Sequence, residues 1–193
     1  PLHHYSEYVT AEEVAAAEDI ARGLTRAEIE QYRPDGLAIG EHALAGTLRF
    51  FARGSLDGEV SSEAVIRRYL RASIITAHVV RGLLGEYDFA CCCFNHGIYV
   101  PQGLIGEVAR RLGVRVVNWN PAYRKKRFIF SHGDSYHHTM MTEPTDQWED
   151  MPWHSTMEAE LLEYLRSRWQ GEHDWIYFHD RPIEDVETIA AEM

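Results

Sequence analysis

The chain reads as an α/β protein, helix-rich around a short, mostly parallel sheet. Two observations predict this. The first is a change of pattern in the middle of the chain. An apolar run, Phe89 to Phe94, breaks into a polar loop, Phe94-Asn-His-Gly-Ile-Tyr-Val-Pro-Gln-Gly103, which opens an amphipathic stretch, Leu104 to Leu112. Gly113 then leads into a second apolar run, Val114 to Trp119. Strand, loop, helix, strand is the order of a parallel βαβ unit, whose ligands gather at the carboxyl ends of the strands. The second observation is that helical signals fill the chain before Tyr87.

The elements follow in order. Thr10-Ala-Glu-Glu13 has capping-box spacing and opens an alanine-rich helix that Gly23 stops. Thr25-Arg-Ala-Glu28 repeats the signal for a shorter helix ending before Pro34. Gly36 to Gly40 reads as a turn or extended link. A helix follows from Glu41 to about Ala52, with Leu44, Leu48 and Phe51 on one face. Ser62 opens a long helix to Leu84, carrying Val65, Tyr69, Ala72, Ile75 and Val79 at helical spacing. After the βαβ pattern comes a third short run, Phe128 to Phe130. Thr142 to Pro152 reads as irregular. Ser155-Thr-Met-Glu158 is a third capping box, opening a helix to about Arg168. Trp175 to Phe178 is extended or loop, and Pro182 starts a last helix with Val186 and Ile189. The organisation expected is a helical region, 1–86, packing on the sheet, an α/β segment, 87–138, and an irregular segment with C-terminal helices, 139–193, all in one domain.

Composition excludes some functions. A net charge of −11 over 193 residues argues against nucleic-acid binding, which needs a basic surface to displace counterions. No apolar run approaches the ~20 residues that span a bilayer. The consecutive Cys91, Cys92 and Cys93 cannot form a disulfide framework or a paired zinc site, and read as buried small hydrophobes in a reducing cytoplasm. The chain starts at Pro1 and has few strands for a doubly wound domain. Either strands precede Pro1 in a longer parent, or this is a helix-rich variant.

Candidate chemistry clusters at the strand ends. His96 precedes Gly97, which permits positive φ, and an imidazole there suits a general base. The plainer reading is a histidine that orients the turn. Asn95, Tyr99 and Gln102 share this loop. Gln102-Gly103 begins a helix whose unpaired N–H groups attract anions, but the spacing fits neither a phosphate-binding P-loop nor a dinucleotide fingerprint. Asn118-Trp-Asn-Pro-Ala-Tyr123 mixes amides and aromatic rings, a combination suited to sugars. Arg124-Lys-Lys-Arg127 is a basic island, either a solvated loop or a patch for a phosphate, an acidic sugar or an anionic membrane surface. His132, Asp134, His137 and His138 have a hydrogen-bonding role as their first reading and no metal is expected, although a metal-dependent hydrolase using His132, Asp134 and His138 stays open.

The loop from Phe94 to Gly103, the Gly106-Glu-Val-Ala-Arg-Arg-Leu-Gly113 helix end, Asn118-Trp119, Ser131-His-Gly-Asp134 and the upstream Gly36-Leu-Ala-Ile-Gly-Glu-His-Ala-Leu44 resemble bacterial capsule-polysaccharide biosynthesis proteins, glycosyltransferases of the GT-B type. The likeness covers roughly Pro34 to Pro152. It implies a Rossmann-like amino-terminal lobe that receives the acceptor, with the carboxyl-terminal, donor-binding lobe missing from this chain. It further implies transfer of a sugar from a nucleotide-sugar donor to a saccharide or other hydroxyl acceptor, with no tightly bound cofactor. His96 would be the base, and Asp134 a second catalytic residue. Asn118, Asn120 and Asp134 would bond sugar hydroxyls, and Arg124 and Lys125 would hold a phosphate. Asn95, Gly97, Tyr99, Gln102, Tyr123 and His132 complete the expected substrate contacts. The setting implied is cytoplasmic, at the inner face of the membrane. The sequence itself leaves two roles open for the helical first half, a lid or a surface for a second copy. The rival outside catalysis is a carbohydrate- or partner-binding module.

Overall fold

The computed structural model describes residues 2–122, 126–135, 137–138 and 144–169. The predicted Trp175–Phe178 segment and last helix lie outside the described residues, as do Tyr123, Arg124 and Lys125. Helices α1 (Ala11–Gly23), α2 (Arg26–Glu30), α3 (Ile39–Phe51) and α4 (Ser62–Glu86) precede β1 (Cys91–Asn95), α5 (Gln102–Arg111), β2 (Arg115–Pro121) and β3 (Phe128–His132). A short α6 (Asp146–Glu149) and α7 (Ser155–Trp169) follow. The chain forms two compact units: Pro1–Asn120 with Phe130–Met141, and Pro121–Ile129 with Thr142–Met193. Among the described residues no helix is long and apolar enough to cross a membrane.

The first two predicted capping boxes close the starts of α1 and α2. The Thr10 and Thr25 hydroxyls accept the N–H groups of Glu13 and Glu28, whose carboxylates accept the threonine N–H groups in return at 2.8 Å in both cases. These backbone N–H bonds, backed by the threonine hydroxyls, hold both glutamates below their ordinary pKa. The far end of α1 is held from a distance. Arg67 on α4 donates from Nη1 to the Ala21, Arg22 and Leu24 carbonyls at 2.5, 3.0 and 2.6 Å. These are helix-end acceptors with no partner inside the helix. Arg67→Ala is expected to cost about 2 kcal/mol, the scale of charge-assisted hydrogen bonds, read as a lower denaturation midpoint at pH 7.

Helix α3 starts two residues earlier than expected, because the Pro34–Gly36 turn and the Leu37–Ile39 bond bring the chain into helix by Ile39. After Ile39 its buried positions are small ones, Gly40, Ala43, Gly46 and Thr47, while Leu44, Leu48 and Phe51 are only partly buried. Small residues let α4 approach closely, and a Cβ on Gly46 would strike the Tyr69 ring. Helix α4 packs with α1, α3 and α5, so its buried set (Ile66, Leu70, Ser73, Ile74, Ala77 and Val80 among it) is wider than the single predicted stripe. A periodicity argument assumes one buried face, and a central helix has several.

The sheet corrects another expectation. Its order is β1-β2-β3, and β1 and β2 are parallel, with Cys92 beside Val116 and Phe94 beside Asn118. The sheet as a whole is mixed rather than mostly parallel. The bonds from Ala122 N–H to the Arg127 carbonyl and from Gly133 N–H to the Val116 carbonyl share one antiparallel register between β2 and β3. So short a connection can only make a hairpin, since parallel strands need a longer crossover. Phe94, Val116 and Ala109 of α5 form a small buried cluster that Cys92 and Leu84 flank. The cysteines are not the buried residues expected. Cys91 and Cys93 are exposed on the opposite face, and only Cys92 turns inward, half-buried.

In the second unit, α7 begins at Ser155 as predicted, but Ser155 is its first residue and not its cap. His154 caps it, its carbonyl accepting the Glu158 N–H at 3.1 Å and its Nδ1 the Met157 N–H at 3.4 Å. The nominally irregular 142–152 stretch holds α6.

Candidate functional site

Where β1 ends, the chain reverses on two consecutive left-handed residues, His96 (φ 35°) and Gly97 (φ 75°). The reversal is pinned to the end of β2. The His96 N–H and the Asn95 side-chain amide both donate to the Trp119 carbonyl, at 3.1 and 3.0 Å. A non-glycine residue at positive φ is unusual and marks strain held in place by its surroundings. Gly97 is required on two counts, its φ and the absence of a Cβ that would meet the Asn118 amide oxygen and the Phe94 ring.

Asn118, 1% exposed, supports the loop from below. Its amide nitrogen donates to the Asp134 carbonyl at 2.9 Å, while its oxygen faces Gly97 and has no hydrogen-bond partner. The 133–135 turn after β3 is thereby tied to the loop after β1. Between them opens a polar cleft of ≈ 220 Å³, lined by Gly97 and Ile98, by Asp134, Ser135, His137 and His138, by Glu41 and His42 of α3, and by Glu107 and Arg110 of α5. A shallower, wider groove of ≈ 670 Å³ lies beyond Ile98, lined by Leu48, Arg49, Arg53 and Tyr99.

Asp134 is the most heavily bonded carboxylate of the cleft. Burial alone would raise its pKa, but the His138 imidazole at 2.8 Å, the Ser135 N–H at 2.7 Å and the nearby Arg110 hold it below the usual aspartate value. His96, next to Gly97 in sequence, is not itself among the residues that line the cleft or the groove. Its ring lies edge-on to Tyr99 with centroids 5.2 Å apart, and Arg49 stacks over the Tyr99 ring at 4.7 Å. Burial first, then the charges of Arg49 and His137, hold His96 below the usual histidine value of 6.5. Its Nδ1 is buried without a partner. A neutral imidazole can accept a proton.

Sequence reading missed the partners from other elements. His42 donates from Nδ1 to the Ile98 carbonyl at 2.5 Å, and its Nε2 lies 3.5 Å from the Glu107 carboxylate. α3 and α5 thus clamp the loop between them, and a Cβ on Gly103 would strike the His42 ring. The His42 imidazole beside it, with the nearby Arg110 charge, holds Glu107 below the ordinary glutamate value of 4.5. A depressed carboxylate stabilises the fold above the ordinary value and ceases to do so as pH falls through its lowered value. Glu107→Gln is therefore expected to be less stable than the parent at pH 7, by about 1 kcal/mol. The difference should fade as pH falls below the ordinary value of 4.5 and through the lowered one. Urea midpoints from pH 7 down through that range measure it.

The remaining predicted residues are placed as follows. Asn120 is 8% exposed, with a buried amide nitrogen that has no partner. Gln102 is the first residue of α5 and does not line the cleft. His132 lies on the open face of the sheet, its Nδ1 accepting from Arg115 at 3.2 Å. His132, Asp134 and His138 do not converge, and no three metal-ligating side chains gather among the described residues. No protein-family model matches the chain, and no curated protein or solved structure is significantly similar to it, so the cleft is read from its own geometry.

Proposed function

We propose that this chain is the acceptor-side lobe of a glycosyltransferase, working with a separate donor-binding lobe. The observation that supports this reading is the cleft itself. It lies at the carboxyl end of β1, the usual ligand edge of α/β proteins. Its lining of carboxylates, imidazoles and one guanidinium suits a small polyhydroxyl group better than an apolar one. Its volume is below the ~300–1,000 Å³ of sites for drug-sized ligands, which fits a single sugar ring.

In this reading Asp134 and Glu107 accept bonds from acceptor hydroxyls, and Arg110 donates to a ring or carboxylate oxygen. His96 removes the proton from the attacking hydroxyl, Asn118 and His42 hold the loop that carries it, and the donor supplies the glycosyl group and leaves as a nucleotide. The wider groove with Arg49 and Arg53 faces the donor's phosphates.

Thermal-shift titration of the chain with oligosaccharides and with UDP- and GDP-sugars tests this. The expected result is stabilisation by acceptor saccharides, abolished in Asp134→Ala, and no response to nucleotide sugars alone. Stabilisation by nucleotide sugars, or none by any saccharide, would overturn it.

A further inference from the structure

Cys91 and Cys93 lie outside the cleft. Both are exposed, and they are two residues apart on β1, an edge strand, so both point to the face that α5 leaves open. Cys92 points the other way, half-buried, and burial pushes its thiol pKa up. The three cysteines therefore divide into an outward pair and an inward residue that stays protonated.

The spacing of the pair is selective. Strand rise puts the two Cβ atoms ~6.6 Å apart. A disulfide needs Cβ atoms ~3.8 Å apart, so the strand would have to buckle to close one. Two thiolates that share one metal ion at bonds of ~2.3 Å need sulfurs only ~4.6 Å apart. Rotation of both side chains toward each other reaches that. Zinc would want four ligands, and among the described residues nothing supplies the other two: the neighbouring His132 Nδ1 is engaged by Arg115, and no group of three ligands forms. Two outward thiols with no further ligand among the described residues suit a soft monovalent ion in two-coordinate geometry. Binding releases two protons and leaves a bis-thiolate complex of charge −1. Arg115, exposed and paired in register with Cys91 on the same face, supplies the compensating charge.

We infer that Cys91 and Cys93 form a two-coordinate site for a soft monovalent cation of the copper(I) or silver(I) class on the open face of the sheet. The test titrates reduced protein anaerobically with copper(I) against a coloured copper(I) chelator. The expected result is one ion per chain, bound with the chain still monomeric by gel filtration. Cys91→Ser and Cys93→Ser each lower the affinity at least 100-fold, whereas Cys92→Ser binds like the parent. Should a serine variant fail to fold, alkylation of the unaltered chain decides. Copper(I) should protect Cys91 and Cys93 from iodoacetamide and leave the rate at Cys92 unchanged. Equal loss in Cys92→Ser, binding only as a two-chain complex, or no protection of the outer pair would each overturn the assignment.

Discussion

Replacing Gly40 with alanine is expected to lower stability by about 3 kcal/mol, a drop of about 10 °C in Tm for a chain of this size. The first turn of α3 crosses the end of α2 here. The Gly40 N–H donates to the Tyr32 carbonyl at 2.9 Å, and a Cβ would overlap the Ile29 carbonyl oxygen. That obstacle is backbone, so it cannot swing aside as a side chain would. Ile29 is fully buried, and shifting it disturbs the main core. Gly54→Ala is the control, because nothing lies within 4 Å of its missing Cβ. Differential scanning calorimetry should show the first variant well below the parent and the second beside it. Melting of Gly40→Ala within about 1 °C of the parent would refute the packing argument.

His96→Ala is expected to slow glycosyl transfer by about 10²–10⁴, the usual contribution of a positioned general base, while Tm and acceptor affinity stay near those of the parent. The assay supplies nucleotide sugar, acceptor and the donor-binding lobe. The electrostatics add a sharper reading. Because burial, Arg49 and His137 all lower the His96 pKa, the acidic limb of the rate profile should lie below pH 6.5. Arg49→Gln removes one of those causes and should move the limb upward, toward 6.5. An NMR titration of the His96 ring on the chain alone follows the same shift without any turnover. Unchanged transfer in His96→Ala would remove it as the base. A limb that Arg49→Gln leaves in place would remove Arg49 as the cause.

Local signals are legible in the sequence where each depends on neighbours along the chain. Thr10 with Glu13 and Thr25 with Glu28 cap helices because the N-cap side chain and the N3 group are three residues apart whatever the rest of the chain does. The strand-loop-helix-strand order from Phe89 to Trp119 was legible for the same reason. Ser155 failed as a cap because His154, one residue earlier, captured the same N–H groups.

The candidate site was legible only in its loops. His96, Gly97, Asn118 and Asp134 stood out because strand ends and glycines mark them. His42, Glu107 and Arg110 sit on ordinary helical faces, where nothing separates a cleft residue from a solvated charge until α3 and α5 converge on Ile98. The interior of α3 is hidden from the sequence in the same way. Hydrophobicity favours Leu44 and Leu48, but close helix packing buries Ala43, Gly46 and Thr47.

By itself, then, the sequence determined the helical first half with its caps, the βαβ order, the Gly97 reversal and the acidic surface that argues against nucleic acid. These rest on hydrogen bonds and periodicities a few residues long, or on charge that simply adds up. Tertiary structure alone decided that the third strand runs antiparallel, that Cys91 and Cys93 face outward while Cys92 faces in, and that His42 and Glu107 meet at the loop. Each of those depends on which residues distant in sequence come within ~3–4 Å, the range over which hydrogen bonds and ion pairs form, and no local pattern carries that distance.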